Sequence, residues 1–267
     1  MKVFWGGQLV AADDARVDPA DRGLTLGDGL FETIAVRDGR AERVNAHLTR
    51  LRNSAAIIGL KMAMGDQELS AAIQGVIEAN GIGEGVLRLT LTRGPSPRGL
   101  LPMGPARPSL LITGSVQDLT PTNAATAVIA TVTRRNEHSP LSGIKTIGFL
   151  DAILAAREAS QRGCDDALLL NTAGNLAEAT IANLFVVIDG VAVTPPVDDG
   201  ALPGVMRADV ITGLMAAERT LAPADLANAS EAFLTNSLGI RPLVMVDAVP
   251  IGDGKPGPVT AKAQKIV

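Results

Sequence analysis

Two-residue turn signals punctuate the first third of the chain and restrict that region to antiparallel hairpins. Asp38 and Gly39 separate two runs, 31–37 and 40–44, that read as strands. Asp-Gly tolerates φ > 0 at both central positions of a type I′ turn, whose twist matches that of the strands it joins. Gly6 and Gly7 play the same part between runs 2–5 and 8–11. Asn45 then reads as the cap of a helix whose apolar stripe is Leu48, Leu51, Ala55 and Ile58, with Gly59 to stop it. A second helix is expected over 67–80, turning Leu69, Ile73, Val76 and Ile77 inward. Strands at 85–92 and 109–115 flank a Pro/Gly-rich loop, 94–108.

The order of elements changes beyond residues 117–123, a stretch with Pro121 that reads as a linker. Strand 127–133 is followed by Lys145, helix 149–161, strand 167–170 and strand 184–188. An Asp189-Gly190 turn, strand 191–194, a helix over about 204–217, strand 232–235 and a strand pair near 243–251 complete the pattern. The expected division is an N-terminal α+β lobe over 1–116 and a C-terminal lobe over 124–267. A chain of 267 residues can build two such units around a shared cleft. The fold class read from this order is α/β (α+β), with the first sheet antiparallel.

Composition removes several function classes. Net charge is −4 with both signs spread along the chain, so no basic block exists to follow a phosphate backbone, and nucleic-acid binding is not expected. Cys164 is the only cysteine, which rules out an intrachain disulfide and a multi-cysteine metal site and suits a reducing cytoplasm. His47 and His138 are too far apart in sequence to form a zinc-type spacing, so no metal is expected. Asp13 and Asp14 arrive before any long apolar run, and no run approaches a membrane span, so a soluble cytoplasmic protein is expected. Five Phe, one Trp and no Tyr mean that any mechanism here works without a phenol. Gly81, Gly83 and Gly85 do not form a dinucleotide fingerprint, because no strand precedes them and no helix follows.

Lys145 carries the most chemical information. It stands in an apolar stretch, 142–148, with no like charge beside it and just ahead of a helical pattern. An ammonium partly withdrawn from water loses charge stabilisation and becomes a usable amine nucleophile, which is what a Schiff base with a carbonyl cofactor requires. Read alone it is more often a solvated strand-end lysine. Other segments join it: 21–33, 47–51 with His47 and Arg50 on one helix face, 175–185 with Glu178, 202–207 with Pro203 and Gly204 at a helix start, and 234–242.

In this order and spacing, the segments resemble the class IV (fold-type IV) pyridoxal-phosphate enzymes, which comprise D-amino-acid and branched-chain aminotransferases and 4-amino-4-deoxychorismate lyases. The resemblance runs from about residue 21 to the end. It implies pyridoxal 5′-phosphate as cofactor, a homodimer, an antiparallel-sheet N-terminal lobe and a mixed, barrel-like C-terminal lobe. Lys145 matches the Schiff-base lysine and Glu178 the glutamate that pairs with the pyridine nitrogen, keeping it protonated so that the ring accepts carbanion electrons. Arg50 aligns with the phosphate-binding arginine, the amides of Val205 and Met206 open the phosphate-facing helix, and Thr235 or Asn236 adds a contact. Many relatives have Thr where Met206 stands, so only a backbone contact is expected there. His47 is equally a satisfied helix residue or a partner behind the phosphate.

Substrate-side positions implied by the resemblance are Phe31, Arg98, Leu100 and Ser237. D-amino-acid aminotransferases pair an arginine with a histidine two residues on. Here Arg98 is followed by Leu100, and Phe31 replaces their tyrosine, which points to bulkier, more apolar substrates than alanine or glutamate. The Arg-Gly of that loop and the run Thr235-Asn236-Ser237 with Arg241-Pro242 resemble the lyases more closely. The expected reaction is transfer of an amino group from an amino acid or amine to a 2-oxo acid. The alternative is release of pyruvate and 4-aminobenzoate from aminodeoxychorismate.

Overall fold

The computed structural model describes residues 1–105, 107–120 and 123–267. Pro121 of the expected linker therefore lies outside the described residues, as does one residue of loop 94–108. The chain forms two compact units, Met1–Leu119 with Ile144–Gly148, and Thr120–Gly143 with Phe149–Val267. Lys145 thus packs with the first unit, although the sequence pattern groups it with the second lobe.

In the first unit, β1 (Lys2–Trp5) and β2 (Gln8–Ala11) form the opening hairpin, followed by a short helix α1 (Arg22–Leu26). Then come β3 (Gly29–Arg37), β4 (Arg40–Ala41), α2 (Val44–Ile57), α3 (Asp66–Asn80), β5 (Gly85–Thr92) and β6 (Ser109–Val116). The six strands pair in the order β2-β1-β6-β5-β3-β4, every pair antiparallel. Asp38 (φ 48°) and Gly39 (φ 70°) adopt the left-handed conformations a type I′ turn needs. Asn45 does not cap α2. The second strand leaves the sheet earlier than the pattern implies: β4 ends at Ala41, the Glu42 amide makes a last bond to Ala35 O at 2.8 Å, and Arg43 (φ 52°) turns the chain so that α2 begins at Val44.

Side-chain alternation gives this sheet two unlike faces. Leu30, Ile34 and Val36 of β3 and Leu87 and Leu89 of β5 enter one core with Leu48, Leu51, Ile73 and Val76 of the two helices. Phe31 and Thr33, opposite Thr90 and Arg88 of β5, turn to the other face.

The second unit begins with β7 (Ala125–Ile129), α4 (Leu150–Gln161), β8 (Asp166–Leu170) and β9 (Leu176–Ala179). It continues through β10 (Asn183–Ile188), β11 (Val191–Thr194), α5 (Val205–Leu214), β12 (Ala217–Glu218) and β13 (Glu231–Asn236). It closes with β14 (Gly239–Val246), β15 (Val249–Pro250) and α6 (Pro258–Ala263). The sheet runs β12-β11-β10-β13-β14-β7-β8-β9, with β15 beside β14. Its pairs are mixed: β11–β12, β7–β14 and β7–β8 are parallel.

Several boundaries differ from the sequence pattern for local reasons. Strand β7 stops at Ile129 because the amides of Thr131 and Val132 donate to the Glu158 carboxylate of α4, which draws 131–133 off the sheet. Helix α5 ends at Leu214, where Met215 turns left-handed (φ 51°) and lets Ala217 pair with Val193. Strand β9 and helix α6 were not anticipated. The buried carboxylate of Glu231 nucleates α6 by accepting from Val259 N (3.0 Å), Thr260 N (2.8 Å) and Thr260 Oγ1 (2.8 Å). No helix among the described residues is long and apolar enough to cross a membrane.

Leu87 is fully enclosed between the sheet and the two helices of the first unit. Leu87→Ala should cost about 3 kcal/mol of stability through lost burial and the cavity left behind. Urea unfolding should show this as a lower midpoint with an unchanged slope.

Candidate active site

The first constellation forms on the free edge of β3. Strand β4 pairs only with Val36 and Arg37, which leaves the start of β3 open on that side. Residues 144–147 fill the edge: Phe31 N donates to Lys145 O at 3.0 Å, Ile147 N donates to Gly29 O at 3.1 Å, and Leu30 bridges Thr146. A side chain on Gly29 could not fit there, since a Cβ would come 2.7 Å from Leu91 O and 3.1 Å from Ile147 Cδ1. This pairing anchors the lysine backbone to a rigid strand. Ile144 turns into the core, and Lys145 emerges on the opposite side with its Nζ 4.5 Å from the centroid of the Phe31 ring. Phe31 is itself buried, and the Arg88 guanidinium lies over it at 3.8 Å.

The helix-covered face of the same strand holds a buried charge cluster. Alternation puts Glu32 among Leu30, Ile34 and Val36, where a bare carboxylate would be costly. Helix α2 supplies the compensation from two residues three apart. His47 Nδ1 lies 2.7 Å from Glu32 Oε2, Arg50 Nε donates to Oε1 at 2.9 Å, and Arg50 Nη2 donates to Oε2 at 2.5 Å. Burial opposes ionisation of Glu32, but the hydrogen bonds and charges of His47 and Arg50 outweigh it and hold its pKa below the usual value.

A second carboxylate organises the turn before β3. Asp28 Oδ2 accepts from Arg22 Nε (2.8 Å) and Arg93 Nε (2.7 Å). Arg22 donates onward to the carbonyls of Gly99 (2.8 Å) and Leu100 (2.6 Å), and Arg93 to those of Gly59 (3.0 Å) and Ile58 (2.7 Å). Loop 94–108 is therefore tethered at its middle. Arg98 is exposed on that loop and Leu100 is 84% exposed.

The second unit carries the remaining candidates. Glu178 on β9 is buried. Its Oε1 pairs with Arg135 Nε at 3.0 Å and its Oε2 accepts from Leu202 N at 2.9 Å. Arg135 is braced by the carbonyls of Gly200 (3.0 Å) and Ser142 (2.6 Å). Asn183 and Thr235 sit opposite each other on β10 and β13. Alternation from Phe185 and Phe233, both in the core beneath α5, brings them to the α5 face. Asn183 Nδ2 donates to Leu202 O at 2.8 Å, and a Cβ on Gly204 would strike Asn183 Oδ1 at 2.0 Å, so the chain enters α5 pressed against this pair. Thr235 is buried, and its Oγ1 has no hydrogen-bond partner among the described residues.

The first amides of a helix have no intrahelical partners. This helix start lies against Asn183, which is paired across the strands with Thr235 and its unpartnered hydroxyl, a setting that suits an anion. Val205 and Met206 open that helix, with the Met206 side chain packed into the core, so that its backbone alone is offered. Asn236 ends β13 with its Oδ1 accepting from Leu238 N at 2.9 Å, and Ser237 is half-buried beyond it. The sequence reading passed over Glu32, Asn183 and Arg135 as individual residues. Glu32 carried a usable signal, an acid at a core-facing position of an alternating strand. Arg135 lies in irregular chain with no periodicity to mark it. Cys164 packs half-buried beside the α4 core.

The sequence model of amino-transferase class IV matches residues 29–246, which takes in all of these positions except Arg22 and Asp28. The chain belongs to the class IV aminotransferase family. A D-alanine aminotransferase of Listeria monocytogenes serotype 4b is 31% identical over 98% of this chain and 93% of its own. The T.th. branched-chain amino acid aminotransferase, solved in complex with N-(5′-phosphopyridoxyl)-L-glutamate, superposes with a TM-score of 0.90 at 25% identity, covering 99% of this chain and 92% of its own. A Legionella pneumophila structure assigned as a 4-amino-4-deoxychorismate lyase gives a TM-score of 0.86 at 30% identity and 94% coverage of both chains. Class IV aminotransferases are enzymes that use pyridoxal 5′-phosphate. The residues present fit that group. The orphaned Thr235 hydroxyl at the α5 start suits a phosphate, and the buried Glu178, paired with Arg135, suits a cationic ring nitrogen.

The lowered pKa of Glu32 makes a prediction about acid stability. Because its folded value lies below the ordinary 4.5, its contribution is complete above pH 4.5 and is lost as pH falls through the folded value. Glu32→Gln should therefore cost about 2 kcal/mol at neutral pH, and the gap from the parent should close on acidification. Chemical denaturation of both proteins between pH 7 and pH 3 measures it.

Proposed function

We propose that this enzyme is a pyridoxal-phosphate-dependent transaminase that moves an amino group between an amino acid or amine and a 2-oxo acid, with Lys145 as its reactive amine. The observation that carries this reading is the anchoring of Lys145: its carbonyl is tied to β3, and its Nζ is presented over the Phe31 ring. The bound cofactor would supply a carbonyl carbon for attachment of an amine and a ring that withdraws electrons. Lys145 takes a proton from Cα of the amino donor and, within the same half of the transfer, would deliver it to the cofactor carbon that takes over the amino group. The second half runs these two proton movements in reverse with the 2-oxo acid. Glu178, held by Arg135, would pair with the ring nitrogen and keep it protonated. Arg50, the amides of Val205 and Met206, and Thr235 with Asn236 hold the phosphate. Glu32 and His47 orient Arg50 from behind.

Phe31, Arg98, Leu100 and Ser237 form the substrate side of this proposal. Loop 94–108 is longer than a hairpin turn needs and is tethered through Arg22, which suits a segment that helps to close the site in a cytoplasmic homodimer. The lyase reading draws on the Legionella neighbour at 30% identity and on the Arg98-Gly99 and Thr235-Ser237 signatures. Transamination is the broader chemistry and asks nothing further of the site.

Lys145→Ala should abolish amino transfer, and borohydride should fix the cofactor to Lys145 in the parent, as mapped by peptide mass spectrometry. Label on any other lysine would end this reading. Glu178→Gln should depress turnover by about a hundred-fold or more with little loss of cofactor, whereas Arg50→Ala should mainly weaken cofactor retention. A panel of amino donors with pyruvate and 2-oxoglutarate, run beside aminodeoxychorismate, separates the two reactions. Formation of 4-aminobenzoate without amino transfer would favour the lyase.

A further inference from the structure

The end of α2 carries a hollow that the machinery described so far does not use. After Ile57 the chain reverses. Gly59 turns left-handed (φ 62°), its amide donates to Ala56 O at 3.1 Å, and Leu60 N donates to Ala55 O at 2.8 Å. Ala55 and Leu60 are both buried in the core of the first unit. The other side is drawn in by Arg52, whose Nε donates to Asp66 Oδ1 at 2.5 Å and whose Nη2 donates to Met64 O at 2.9 Å. Arg52, Ala55, Ala56, Leu60, Lys61 and Met62, with Gly59, line a volume of about 330 Å³. That is the lower end of the range for small-molecule sites.

The lining is aliphatic apart from Arg52 and Lys61, both cations, and no carboxylate belongs to it. Asp66 already meets Arg52, whereas among the described residues the Lys61 ammonium has neither a hydrogen bond nor an ion pair. A solvated lysine on a convex surface would be ordinary. Beside a concave apolar wall, the same charge can meet an anion whose tail the wall withdraws from water. An ammonium on the ligand would meet like charge, which disfavours amino acids and favours simple carboxylic acids. The hollow also adjoins the tether of loop 94–108. Gly59 gives its carbonyl to Arg93 Nη1 (3.0 Å) and Ile58 gives its own to Nη2 (2.7 Å). From Arg93 the hydrogen bonds continue through Asp28 and Arg22 to the carbonyls of Gly99 and Leu100.

We propose that this hollow is an effector site for a small carboxylic acid with an aliphatic tail. Lys61 holds the carboxylate, the tail lies against Ala55, Ala56 and Leu60, and the occupant alters substrate affinity through loop 94–108. The effect on affinity rests on the reading of that loop as a substrate segment; the binding itself does not.

The test titrates cofactor-loaded enzyme with octanoate by calorimetry. Octyltrimethylammonium is the control, with an equal tail, the opposite charge and no capacity to form an imine. Octanoate should bind and the control should not. Lys61→Gln should weaken octanoate binding by about three- to ten-fold, the loss expected for a partly solvated charge pair. Ala56→Phe, which fills the space of the tail, should weaken it by about ten-fold or more. Both variants should keep the turnover of the parent when octanoate is absent. In the parent, saturating octanoate should change KM for the amino donor by about two- to five-fold, and the change should vanish in both variants. Parent-like octanoate affinity in both variants, or bound octanoate without effect on KM, would overturn the inference. So would a KM effect that survives both substitutions, which would put octanoate in the substrate site. A changed oligomeric mass in Ala56→Phe would assign the hollow to a second copy of the chain and equally overturn it. Failure of the proposed reaction is distinguishable, because it appears as absent amino transfer, whereas calorimetry reports on the hollow independently.

Discussion

The free edge of β3 is the constraint on which the first unit's chemistry depends. A strand paired on one side leaves a row of backbone groups that must find partners, and here residues 144–147 supply them. That pairing fixes the backbone of Lys145 against a strand whose other side is locked to β5 over nearly its whole length. Two-residue periodicity does the rest. Phe31 and Lys145 emerge on one face, while Leu30, Glu32 and Ile34 enter the other. A single nine-residue strand thus serves the core, a buried ion cluster and the setting of Lys145.

Buried charge in this protein is consistently paired across elements. Glu32 takes its partners from α2, Asp28 from α1 and the end of β5, Glu178 from the chain before α4, and Glu231 from α6. In each case the carboxylate sits on or beside a strand, and the donors arrive from a segment with more freedom to adjust. An ionised group at such a place disfavours alternative packings, because any register shift would strand it without partners.

Much of the architecture was legible in the sequence because it rests on short-range rules. The Asp38-Gly39 turn, the stripes of α2 and α3, and the alternation of β5 appear in the structure as periodicity and turn chemistry implied. The failures share a different cause. Asn45 is not the cap because the left-handed turn at Arg43 starts α2 two residues earlier, β7 is cut short by the Glu158 carboxylate twenty-nine residues beyond its last residue, and α6 depends on Glu231. None of those contacts has a local signature. The site divides in the same way. Lys145, Glu178 and Arg50 were named through an ordered set of motifs, whereas the bracing residues Arg135 and Asn183 became visible only when distant chain segments met.

The Asp28 oxygen that accepts two hydrogen bonds has a mechanical meaning. One arm of the assembly, Arg22, grips two carbonyls in the middle of loop 94–108, and the other, Arg93, grips the two carbonyls that follow α2. Both arms hang from the same atom. The loop and the end of that helix are in effect geared together through a single carboxylate, so displacement of one transmits tension to the other. In a chain where α2 also carries His47 and Arg50, the gear joins the segment bearing Arg98 to the helix that steadies Glu32.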